Sequence, residues 1–182
     1  MDRLRDHFRE YSSEWRFWLT VASTTVLMMV SYAAFLFGFA SVGEAEATVV
    51  GSSIGTGVAL VPLTFGVAAF FSGTPRSLVQ IAKGTAWWFA LAPPLMFFDI
   101  ILGLMVGFGV GSAVATRLPD GRTMTPRLVT VGVVTVITAL MLFVWPAAAV
   151  FGGMLTLYPA VALSDRAPRT RFFGASPWSR RT

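Results

Sequence analysis

Residues 76–117 read RSLVQIAKGTAWWFALAPPLMFFDIILGLMVGFGVGSAVATR. The stretch holds a long apolar run, a Pro93-Pro94 break, a lone acid at Asp99, and glycines four apart at 103, 107 and 111. The number of times it crosses a bilayer sets the topology of everything that follows it. Its last two residues open the connector TRLPDGRTMTPR, residues 116–127, and a second long apolar tract then runs to residue 163.

Composition places the chain in a membrane. Of 182 residues, 55% are hydrophobic and only 13% are charged, against about a quarter charged in a soluble domain. Several apolar runs reach or approach the ~20 residues that cross a hydrocarbon core of about 30 Å. The first run covers about 17–42 and the second about 48–71, separated by a short loop with Glu44 and Glu46. Ala45-Glu46-Ala47 mimics a cleavage site, but the preceding run is too long for a signal-peptide core and acids lie before it, so an uncleaved anchor is expected. The richness in arginine, alanine, valine and glycine suggests a bacterial or archaeal genome of high GC content.

The tracts 84–116 and 128–163 are each too long for one upright span. Either each is a single long, bent helix, giving four spans, or each is a hairpin, giving six. Basic residues decide between them. With the N-terminus inside, a single crossing of 84–116 would place Arg117, Arg122 and Arg127 outside, against the positive-inside tendency of short loops. Two crossings return that loop inside, and two more bring the C-terminal arginines inside as well. The turns make local sense too. Asp99 is suited to cap a helix starting near Ile100, and Trp145-Pro146 pairs an interfacial aromatic with a helix-starting proline. The fold expected is therefore an all-α polytopic bundle of six spans arranged as hairpins, the alternative being four spans with two long and kinked. Its spans are about 17–42, 48–71, 77–98, 100–116, 128–145 and 147–163.

Around this domain, 17–163, lie two flanks. Residues 1–16 place Leu4, Phe8, Tyr11 and Trp15 on one helical stripe with charges off it, either as a short solvated helix or as a cytoplasmic segment lying on the membrane surface. Residues 164–182 form a basic tail with aromatics. Arg3, Arg5, Arg9, Arg16, Arg76, Lys83, Arg169 and Arg171 are the expected contacts to anionic lipid headgroups. The partners expected are that lipid surface and a second copy or a larger membrane complex. The formal charge of +5 reads as orientation, and no nucleic acid is expected.

The candidate sites are few. Gly103, Gly107 and Gly111 form a repeated GxxxG ridge, and Gly51 and Gly55 form a second one that Ala59 extends. Small residues let helix backbones approach closely, so these five are read as helix-packing positions, within the chain or toward a partner. Asp99 is either the helix cap or, if it lies within the bilayer, an ion or proton site. Chemistry has little to work with. There is no cysteine, and the one histidine is His7. Nucleophilic serine chemistry needs a nearby base, and a metal or haem site needs several ligands. No cofactor and no catalytic residue is expected. Two functions remain: an accessory, scaffolding or self-associating membrane component in the plasma (inner) membrane with both termini cytoplasmic, or a small-molecule or ion transporter or channel.

Overall fold

The structure, a computed structural model, describes residues 2–71, 77–116 and 123–164, with side chains in α1 described at Trp15 and from Phe17 on. Arg76, Arg169, Arg171 and the basic tail lie outside the described residues, as do the side chains of Arg3, Arg5, Arg9 and Arg16. The described residues form six α-helices: α1 Asp2–Ala40, α2 Ala47–Phe71, α3 Ser77–Met96, α4 Ile100–Ala115, α5 Thr125–Val144 and α6 Pro146–Ser164.

Both long apolar tracts break in the middle. The first stops at Met96, turns through Phe97–Asp99 and restarts at Ile100; the second pauses only at Trp145. Neither tract is the single kinked rod of the four-span alternative. Close neighbours pair off antiparallel about each break. Gly103 lies against Leu95 and Met96, and Gly107 against Ala92; on the other hairpin Gly153 lies against Thr138. Helix–turn chemistry explains the breaks. The Asp99 carboxylate accepts the Leu102 amide at 2.8 Å, supplying the cap that starts α4. Proline at the head of α6 needs no amide partner.

Four segments are long and apolar enough to cross a membrane: Phe17–Ala40, Ala47–Phe70, Thr125–Val144 and Pro146–Ser164. α1 runs straight through the boundary expected near residue 17 and begins at Asp2, because hydropathy changes there but no helix-breaking residue intervenes. α2 likewise runs unbroken through Pro62, whose ring faces outward. Between α1 and α2 the chain turns at Gly43, whose φ of 88° suits glycine. α5 starts three residues earlier than expected, at Thr125, with Pro126 in its first turn.

The core is organised around α4, which touches all five other helices. Ten of its 16 residues are buried. Its Leu104, Met105 and Phe108 meet Phe65 of α2, Trp88 and Ala92 of α3, and Met154 and Leu157 of α6 in one apolar cluster. Rings organise the middle: Trp88 stacks on Phe35 at 5.5 Å and meets Phe108 edge-on at 5.8 Å. α5 shows the opposite pattern. It buries only Arg127, Val131 and Thr138 and turns Val133, Val136, Ile137 and Leu140 outward.

Candidate functional site

The glycine ridge of α4 is consumed inside the bundle. A β-carbon on Gly103 would stand 2.6 Å from the Met96 amide nitrogen, and one on Gly107 would stand 2.6 Å from the Ala92 β-carbon. One on Gly111 would strike the Phe65 ring and stand 3.0 Å from the Gly84 carbonyl oxygen. Three consecutive turns of α4 therefore lie backbone-close against α3, which is the geometry that a small-residue face permits. Gly109, on another side of α4, is closed off by Val131 and Leu157.

Gly51 and Gly55 are placed differently. Both are exposed, and nothing lies within 4 Å of where their β-carbons would be. They do not meet the α4 ridge. The α2 glycine that packs inward is Gly57: its carbonyl accepts the Ser31 hydroxyl at 2.8 Å, and a β-carbon there would stand 2.9 Å from the Phe35 ring. Gly51, Ser52, Gly55, Thr56 and Ala59 together make an outward strip of small side chains. Ser52 and Thr56 donate back to the Val49 and Ser52 carbonyls, so their hydroxyls are held down along the helix.

Asp99 is half-buried at the α3–α4 turn, with one carboxylate oxygen on Leu102 N. Phe97 and Phe98 beside it are 91% and 88% exposed. Lys83 is exposed, on α3, beside the buried Gly84. At the opposite end of α4 is Arg127, only 1% exposed. Its Nη1 donates to the Ala113 carbonyl at 2.6 Å and to the Thr116 carbonyl at 3.1 Å. Those carbonyls close the last turn of α4, where acceptors lack helical partners and the dipole is negative. A first-turn arginine of α5 thus caps the C-terminus of α4.

The sequence marked Arg127 only as a topological charge, and it passed over Gly84, Gly57 and Gly153, all of which sit at close helix contacts. Buried hydroxyls also line the interior. Thr24, Thr25, Tyr32, Thr85 and Thr135, with the Trp88 indole nitrogen, have no hydrogen-bond partner among the described residues.

Long apolar helices, a glycine-packed centre and lipid-sized outer faces define a helical integral membrane protein. Compared with protein families, with curated proteins and with solved structures, the chain finds no match.

Proposed function

We propose that this chain is a small non-catalytic membrane scaffold that associates through the outward strip of α2, in the plasma (inner) membrane with both termini cytoplasmic. The observation that carries the reading is the contrast between glycines. Those of α4 are already enclosed, whereas Gly51 and Gly55 leave open space within an outward run of small residues that includes Ser52, Thr56 and Ala59; Gly132 is as open but stands among outward valines. A lipid-facing helix gains nothing from glycine, which weakens it by about 1 kcal/mol relative to alanine; a helix that another backbone approaches does gain. The positive-inside tendency of the arginines supports the orientation. Arg127 sits at the end of the bundle where α1 enters, and Glu44 and Glu46 sit at the other.

The transporter reading is the weaker one, because the Asp99 carboxylate is engaged with the helix it starts. The test is association of the full chain in liposomes, read by energy transfer between labelled copies. Gly55→Leu is expected to abolish transfer, and Gly132→Leu, at an equally open glycine on α5, is expected to leave it intact. Transfer unchanged by Gly55→Leu, or absent from the unaltered chain at every protein-to-lipid ratio, overturns the reading.

A further inference from the structure

Around α4 the other helices form an incomplete ring. α3 touches α2, α2 touches α1, α1 touches α6 and α6 touches α5, but α5 and α3 do not approach each other. An α-helix turns about 100° per residue, so the contacts of α4 fix which of its sides meets the opening. Gly103, Gly107 and Gly111 face α3, while Gly109 and Ala113 face α5 through Val131 and Arg127. Between those two edges runs the row Val106, Val110 and Val114, each half-buried.

The flanks follow from the same geometry. On α3, Gly84, Trp88 and Ala92 face α4, and Ile81 reaches Gly66 of α2. Lys83 and Trp87 turn to the other flank, toward the opening, and both are exposed. On α5, Thr138 meets Gly153 of α6 and Val131 meets Gly109 of α4. Continuing round the helix in that order brings Thr135, half-buried, to the opening. The result is a groove with a valine floor, walled by α3 and α5, that opens onto the acyl chains.

One end of the groove carries a charge. A β-carbon on Gly84 would stand 2.8 Å from the Gly111 carbonyl oxygen and 2.9 Å from the Ala115 β-carbon. Lys83 therefore stands level with the last turn of α4, at the end of the bundle where Arg127 sits. From Val114 beside it, the floor runs about 12 Å toward the membrane centre, to Val106. Among the described side chains the acids are Glu44, Glu46 and Asp99, and all three belong to the opposite end. The Lys83 ammonium is a strongly hydrated point charge on a flexible stem, which reaches for the headgroup level and takes an anion there. A second helix laid on the valines would have to bring its own acid or strand that charge. A phospholipid brings an acyl chain for the floor and a phosphate for the ammonium in one molecule.

We propose that this groove binds one anionic phospholipid from the leaflet at that end, its phosphate on Lys83 and one acyl chain along Val114, Val110 and Val106, with Trp87 beside the chain. A zwitterionic headgroup holds its own cation next to the phosphate, which competes with the lysine; a net-negative headgroup does not. The inference goes beyond the scaffold reading and uses neither the α2 strip nor the choice of sides.

The test places the full chain in phosphatidylcholine vesicles with a minor fraction of phosphatidylglycerol whose acyl chain carries a diazirine. Adducts are located by mass spectrometry of peptides after illumination. They are expected to concentrate on Val106 and Val110 over the outer face of α5 at Val133 and Ile137. Lys83→Gln is expected to lower the groove adducts several-fold and leave those on α5 unchanged, and Lys83→Arg, which keeps the charge, to retain them. Val110→Trp, which fills the floor, is expected to remove them with Lys83 in place. The same diazirine on phosphatidylcholine is expected to mark both faces alike. Adducts spread evenly by the anionic lipid, an unchanged pattern in Lys83→Gln, equal enrichment by both lipids, or groove crosslinks to protein instead of lipid overturn the proposal. So does loss of the adducts in excess inorganic phosphate, since the free anion is then what Lys83 takes. Gly55→Leu keeps the two readings apart: the groove adducts persist whether or not copies associate through α2.

Discussion

Arg127 holds a guanidinium at 1% exposure against the Ala113 and Thr116 carbonyls, so removing it strands two acceptors at the negative end of α4. Hydrogen bonds to a charged group contribute about 1.5–3 kcal/mol each. Arg127→Ala is expected to destabilise the fold by about 2–4 kcal/mol, measured by thermal or denaturant unfolding in detergent. Arg127→Lys should recover part of this, because an ammonium keeps the charge and has N–H donors for both carbonyls but leaves unfilled the space of the larger guanidinium. Asp99 works at the other end of the same helix. Asp99→Ala should cost about 1 kcal/mol, and Asp99→Asn should cost almost nothing, since asparagine caps as well as aspartate. The two residues differ in how far the sequence discloses them. An acid just before an apolar run is a known way to start a helix, so Asp99 could be read in place. The acceptors of Arg127 are backbone carbonyls eleven and fourteen residues earlier, and a carbonyl leaves no mark in a sequence.

At the scale of the helix, the α3–α4 seam is set by close approach. Gly103→Ala would press a methyl group onto the Met96 backbone, and Gly107→Ala would press one onto Ala92. Each is expected to lower stability by about 1–3 kcal/mol, the usual cost of overpacking. Gly51→Ala meets open space in a helix and should leave stability unchanged or raise it by up to about 1 kcal/mol. One unfolding series over the three variants checks the contrast. The GxxxG spacing is identical in α2 and α4, which is why spacing alone could not separate an inward ridge from an outward one. The hairpin breaks were legible because Asp99 and Trp145-Pro146 carry local chemistry. The central position of α4 was not, since a helix apolar on every side reads the same whether protein or lipid surrounds it. The unbroken length of α1 went unread because a change in hydropathy resembles a boundary, although nothing at residue 17 disfavours continued helix.

At the scale of the molecule, the antiparallel order places the α1–α2 turn, the α3–α4 turn and Trp145 at one end of the bundle, and the start of α5 at the other. Impermeant thiol labelling of oriented vesicles tests this directly. Ala45→Cys, Phe98→Cys and Trp145→Cys should react from one side, and Thr123→Cys from the other. Reaction of Phe98→Cys and Thr123→Cys from the same side would contradict the arrangement. With the arginine-rich end cytoplasmic, the first three react from outside intact cells. The bundle is also uneven in height. α2 has 25 residues, and α4, the helix all the others surround, has 16, about 24 Å of rise. Phe97 and Phe98 at its head face outward almost completely. A bilayer of ordinary thickness must either dimple around that hairpin tip or draw the tip down beneath its headgroups, at a cost of fractions of a kcal/mol per Å. Because the 24-residue apolar spans of α1 and α2 stand toward lipid while α4 is largely enclosed by its neighbours, the bilayer is disturbed only beside the α3–α4 tip and keeps ordinary depth around the rest of the bundle.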